Sequence, residues 1–205
     1  MKVSFNELKS MSKGAARGAG FDWGYAEDIS FAEVWLAKNG YNSATTLLTF
    51  LDNKMIYPPT NTNGNIWSND KGDLDPIKTG VALLDLNISK TIVLQGIFLP
   101  LLLAPFISQL ENTMALEGNN FKLVTKNGFS DNRVKYLPLR ANVLKISSTQ
   151  ETQGFNKIEE NPLAKRFKVD NDVWNRLEEF TYRTYAPVTD ESRMLGAGSG
   201  LSDND

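Results

Sequence analysis

The sequence predicts an α+β fold, and three observations carry that prediction. Apolar residues recur at helical spacing through residues 5–51, short extended runs gather around an Asn-Gly pair in the middle of the chain, and one more helical stretch follows near the end. Helices first, antiparallel strands next and a helix last place the two kinds of structure in separate segments, which is the α+β pattern. The expected architecture is an N-terminal helical hairpin with a third helix, a small central antiparallel sheet with a buried helix, then a C-terminal helix with an ordered tail.

The first helix opens at Ser4, which with Glu7 forms a capping-box pattern. Phe5, Leu8, Met11, Ala15 and Ala19 follow at helical spacing, and the turn Gly18-Ala19-Gly20 ends it. Asp22 caps a second helix with Ala26, Ile29, Glu33 and Leu36 along one side and Ala32, Trp35 and Ala37 beside it, closed by Gly40. Ser43 starts a third, whose Leu47, Leu48 and Leu51 face inward.

Residues 57–79, "YPPTNTNGNIWSNDKGDLDPIKT", are crowded with Pro, Gly, Asn and Asp and read as a long surface loop. "GVALLDLNIS" reads as a buried strand or two short ones. Residues 100–116 read as a core helix with Pro100 near its first turn, an inward stripe of Leu99, Leu102, Leu103, Phe106, Leu110 and Met114, and a bend at Pro105. In "FKLVTKNGFS", Asn127-Gly128 between extended runs is the strongest local hairpin signal. Further strands are expected at 133–136, 142–148 and 166–169. Asp170 or Asn171 caps the last long helix, with Val173, Trp174, Leu177, Phe180 and Thr181 on one face and Pro187 as its stop. Thr189 caps a short turn that Gly196 ends.

A chain of 205 residues with 41% hydrophobic content can bury one sizeable core. The expectation is a single domain over 1–205: a helical segment at 1–53, a long loop at 54–79, a mixed region at 80–170, and helix plus glycine-rich tail at 171–205. Net charge is −2, so no global positive field draws in nucleic acid or an anionic membrane. Cysteine and histidine are both absent. That excludes disulfides, the usual zinc sites, thiol nucleophiles and every histidine-based triad. Acid–base chemistry is left to Asp, Glu, Lys, Tyr and the termini, and no metal site or cofactor is specified. The apolar stretch 91–110 carries Gln95, Pro100, Pro105 and Gln109 and reads as core rather than membrane span. "MKVSFNELKSMSKG" lacks the apolar run of a signal peptide. A cytoplasmic protein is expected.

Two segments break the ordinary rules of helix building. Gly14, Gly18, Gly20 and Gly24 cluster around the first helix–turn–helix, each costing about 1 kcal/mol against alanine inside a helix. Tight packing against another element is one explanation. A ligand pocket is the other, with Arg17 holding a carboxylate or phosphate, Trp23 as a wall and backbone N–H groups of residues 22–25 as extra donors. The second segment, "GAGSGLSDND" at 196–205, has a composition of disorder, and without a following Lys-Ser/Thr its glycines make no phosphate-binding loop.

Taken together, "GAARGAGFDWGYAEDI", "PLLLAPFI" and "TYAPVTDESRMLGAGSGLSDND" resemble a bacterial family of unknown function, the domain-of-unknown-function family numbered 3726. Gly14 stands where Lys or Ala is commoner, and the 57–79 segment is longer than the family pattern suggests. The resemblance brings no activity, cofactor or catalytic residue. A pattern reaching Asp205 does imply that the tail is held, with Leu201 as an apolar anchor and Asp203, Asp205 and the terminal carboxylate paired to arginines, Arg17 first.

Two functions stand as alternatives. One is a small-molecule site for a carboxylate or amine metabolite, built by Arg17, Gly18, Gly20, Trp23, Tyr185 and Arg193, with Glu27, Asp203 or Asp205 as acid–base or amine-binding groups. The other is a non-catalytic interaction protein or accessory subunit whose tail docks into itself, a protein partner or a second copy.

Overall fold

The computed structural model describes residues 1–53, 55–60, 62, 64–131, 137–151 and 166–185. The expected strand at 133–136, the Thr189 cap, Arg193, Leu201, Asp203, Asp205 and the rest of the tail lie outside the described residues.

The helical start follows the sequence closely. A short strand β1 (Lys2–Ser4) leads into α1 (Phe5–Gly18), where the Ser4 hydroxyl accepts from the Glu7 amide while the Glu7 carboxylate accepts from the Ser4 amide. Both orphan donors are thereby satisfied at once. Asp22 caps α2 (Trp23–Lys38), and Gly40 takes a left-handed φ of 78° just beyond its end. α3 (Ser43–Asp52) completes the set. α2 is buried on most of its circumference, with Leu36, Ala26 and Ala32 fully inaccessible. A buried leucine such as Leu36 contributes roughly 2 kcal/mol.

The 57–79 segment is not a plain loop. It carries β2 (Ile56–Tyr57), β3 (Ile66–Trp67) and β4 (Asp73–Leu74), each pairing in parallel with another strand of the sheet. Trp67 is wholly buried and donates its indole N–H to the Gly64 carbonyl at 3.1 Å. A large aromatic with a satisfied polar handle is what ties this polar stretch down.

"GVALLDLNIS" is helical rather than extended. α4 (Pro76–Asp85) starts on an Asp75 cap with proline in its first turn, and Gly80 sits within it because a Cβ there would lie 2.4 Å from the Phe106 ring. The expected helix over 100–116 shrinks to a 3-10 turn (Pro100–Leu103) and a short α5 (Ala104–Ile107). Met114 belongs instead to strand β6 (Met114–Gly118). Ahead of the turn, β5 (Ile92–Phe98) is a buried strand, and Leu99 turns the chain at a φ of 44°. The apolar stretch at 91–110 is therefore strand, turn and short helix in the core. Among the described residues no helix is long and apolar enough to cross a membrane.

β7 (Phe121–Lys126) and β8 (Phe129–Ser130) form the expected hairpin, with Asn127 and Gly128 both at positive φ. β9 (Arg140–Ser148) is the longest strand among the described residues and runs antiparallel to both β5 and β6. The sheet is thus larger than expected and mixed; among the described residues its eight strands are ordered β2-β4-β5-β9-β6-β7-β8 with β3 also on β5. Leu144 and Ile146 of β9 join the helices' apolar residues in one cluster while Val143 and Lys145 face outward. β10 (Arg166–Lys168) pairs antiparallel with β1, and α6 (Asn171–Tyr182) follows on its Asp170 cap. The α+β class holds.

Candidate functional site

α1, the start of α2 and the end of α6 meet at one place because of two glycines. A Cβ at Gly18 would stand 1.6 Å from the Phe180 carbonyl oxygen, and one at Gly14 would stand 2.7 Å from Thr181 Cγ2. These helix positions are four residues apart on one face, so α6 lies directly against α1 backbone. The packing explanation accounts for Gly14 and Gly18. Gly20 serves the turn with a φ of 98°, and a Cβ at Gly24 would make only an ordinary contact, 3.6 Å from Asp22 Oδ1.

That crossing leaves a cleft of about 320 Å³ beside it, lined by Gly14, Arg17, Gly18, Trp23, Arg183 and Thr184. Arg17 projects from the last turn of α1. Its Nη1 donates to the Phe21 carbonyl, and its guanidinium carbon lies 4.6 Å from the centroid of the Trp23 ring. Trp23, in the first turn of α2, is 61% exposed despite this contact. Lys13 Nζ sits 5.2 Å from the same ring and is ion-paired with Glu27. Opposite, Arg183 rests its guanidinium 4.3 Å from the Phe180 ring. No carboxylate among the described residues pairs with Arg17 or Arg183. Two aromatic-stacked guanidiniums thus border the cleft with hydrogen-bonding capacity to spare.

Of the residues singled out by sequence, Arg17, Gly18 and Trp23 line the cleft. Tyr185 does not; it is exposed beyond α6 and meets Tyr182 edge-on at 5.7 Å. Glu27 is exposed, and the hydrogen bond from Lys13 lowers its pKa, so it stands as a paired carboxylate and not a poised proton donor. The amide donors expected at 22–25 are reduced by one, since the Asp22 carboxylate already accepts from the Tyr25 amide. Sequence reasoning misses Arg183 and Thr184. Their only signal is "TYRTY" at the close of a helix predicted to face Phe180 inward.

Two buried carboxyls lie elsewhere. Asp75 accepts from the Ile77 and Lys78 amides and from the Tyr25 hydroxyl, and burial raises the pKa of both it and Tyr25. It is a helix cap locked by a phenol. Glu33 on α2 is 1% exposed with no hydrogen bond to either oxygen, and desolvation pushes its pKa up to about 8. A second groove, about 240 Å³ beside α3, is bordered by Thr45, Thr46 and Thr49, whose hydroxyls are spent on Asn42 and on α3's own carbonyls. It offers little recognition chemistry. Among the described residues no cluster of acidic side chains could hold a metal ion.

Residues 3–95 match the model of a family described as "Protein of unknown function (DUF3726)", which is the resemblance read from the sequence. The match includes Arg17 and Trp23 and stops before α6. No curated protein and no solved structure matches the chain.

Proposed function

We propose that the cleft between α1 and α6 binds a small metabolite through an acidic group, a carboxylate or a phosphate. The observation that carries this reading is the pair Arg17 and Arg183, both bordering one cavity and neither paired with a carboxylate of the described residues. A guanidinium fork matches such an anion bidentately, and the Trp23 face supplies apolar contact for the rest of the ligand. Glu27 is ion-paired with Lys13 and does not line the cleft, so it takes no part in this reading. Binding is favoured over catalysis, because the polar side chains at the cleft are guanidiniums, an indole and the Thr184 hydroxyl, which is spent on the Thr181 carbonyl, and none is placed to exchange a proton. No cofactor, nucleic acid or membrane enters this reading, and a cytoplasmic location goes with it.

An interaction role is the second reading, and the exposed aromatics favour it: Trp23, Tyr182 and Tyr185 are 61%, 64% and 62% exposed at the same end of the molecule. Such residues anchor protein interfaces, and the partner could equally be a second copy of the chain. A thermal-shift screen separates the two. Small carboxylates and phosphates at a hundredfold excess over their dissociation constant should add about 2.7 kcal/mol of stability. Stabilisation lost on Arg17→Gln supports the ligand site; no response to any anion, with self-association at rising concentration, supports the interface.

A further inference from the structure

We infer that the ligand of this cleft is a phosphate monoester joined to a flat aromatic ring, as in a nucleoside monophosphate, with its phosphate on Arg17 and Arg183 and its ring stacked on Trp23. This rests on the proposed anion site and adds the class of ligand that fills it.

Charge chooses the anion. Lys13 is met by Glu27, whereas Arg17 and Arg183 border the cleft without a carboxylate partner among the described residues. A carboxylate answers one of those two charges. A phosphate monoester carries about −1.5 to −2 at neutral pH and answers both. The donors agree with the charge. Arg17 spends one N–H on the Phe21 carbonyl, and the rest of its fork together with that of Arg183 outnumbers the about four acceptor sites of a single carboxylate.

The ring follows from Trp23. Lys13 and Arg17 stand one turn apart on α1, 5.2 and 4.6 Å from the indole centroid, so both meet the ring from the α1 side. The indole nonetheless lines the cleft and is 61% exposed. What it leaves uncovered suits a neutral ring. A ligand ammonium placed there would meet the two cations already held at the indole, and that like-charge repulsion turns away the amines an unoccupied tryptophan attracts. A nucleobase offers a π-face without the charge, and such stacking is tolerant of which base is presented. Volume points the same way. At about 320 Å³ the cleft stands at the lower end of the roughly 300–1,000 Å³ that organic ligands occupy, well beyond what inorganic phosphate fills alone.

The test titrates the full chain with adenosine-5′-monophosphate and with its two halves, ribose-5-phosphate and adenosine, by calorimetry and by tryptophan emission. Trp35, Trp67 and Trp174 are buried, so quenching by a stacked base reports on Trp23. The nucleotide should bind about tenfold more tightly than ribose-5-phosphate and quench emission, which ribose-5-phosphate leaves unchanged. Trp23→Leu should erase the advantage while ribose-5-phosphate still binds, and Arg17→Gln should weaken both phosphates. Equal affinity for the nucleotide and ribose-5-phosphate, both weakened by Arg17→Gln, would overturn the ring and leave the anion site standing. A nucleotide advantage that survives Trp23→Leu would overturn the stack. Adenosine bound as tightly as the nucleotide, with no effect of Arg17→Gln on either, would overturn the inference and the anion site together. No response to any phosphate, with small dicarboxylates still binding through Arg17, would overturn the inference and keep the anion site; no response to either class removes both.

Discussion

Gly18→Ala tests the geometry on which the cleft depends. The added methyl would lie 1.6 Å from the Phe180 carbonyl oxygen and 2.5 Å from its carbon, against comfortable non-bonded separations of about 3.5 Å. Those are backbone atoms, so no rotamer change relieves the clash. α6 must move away from α1 by roughly 1.5 Å or more, forfeiting much of the packing of Thr181, Phe180 and Leu177. Overpacking of this severity costs about 4 kcal/mol, beyond the usual range of 1–3, and the better helix propensity of alanine returns about 1. The net loss is about 3 kcal/mol, or a melting temperature lower by roughly 6–12 °C for a chain of this size. Urea unfolding followed by circular dichroism measures it as a shift of midpoint at constant slope. Gly14→Ala should cost less, since its methyl meets the Thr181 side chain, which can turn. Gly24→Ala, whose methyl would meet only Asp22 Oδ1 at an ordinary 3.6 Å, should be neutral or mildly stabilising. Gly18→Ala as stable as the parent would refute the close crossing of α1 and α6.

Glu33 makes stability depend on pH. Its folded pKa of about 8 is above the ordinary value of 4.5, so the folded state holds a proton that the unfolded chain releases, and stability is lost as pH rises through that window, at up to about 1.4 kcal/mol per unit, levelling above pH 8. Glu33→Gln should flatten that slope in denaturant midpoints taken from pH 5 to 9. Tyr25→Phe strips Asp75 of the phenol hydrogen bond while leaving it buried, and calorimetry should find a loss of about 1–3 kcal/mol. Lysine in place of Arg17 keeps the charge and loses the fork and the Trp23 stacking; anion affinity should fall about tenfold, about 1.4 kcal/mol, with little change in melting temperature.

The sequence is most readable where local chemistry decides structure. Ser4 with Glu7, Asp22, Gly40, Asp170 and the Asn127-Gly128 pair all act within a few residues of themselves, and each does what its type predicts. α4 is hidden because Asp75-Pro76 looks like loop composition and Gly80 like a strand start; only the Phe106 ring across the core explains a glycine inside that helix. The run 91–116 misleads because a continuous apolar stretch has no periodicity to separate strand from helix. At the site, Arg17 and Trp23 stand out beside the glycines. Arg183 does not, because its place at the cleft is set by Gly18 contacting Phe180, a meeting of residues far apart in sequence.

The most direct measurement of the central claim is isothermal titration of the full chain with small dicarboxylates and inorganic phosphate, repeated on Arg17→Gln and Arg183→Gln. The account predicts saturable one-site binding to the parent, weakened at least tenfold by either replacement, each equivalent to about 1.4 kcal/mol. Saturable binding that both variants retain unchanged would contradict it.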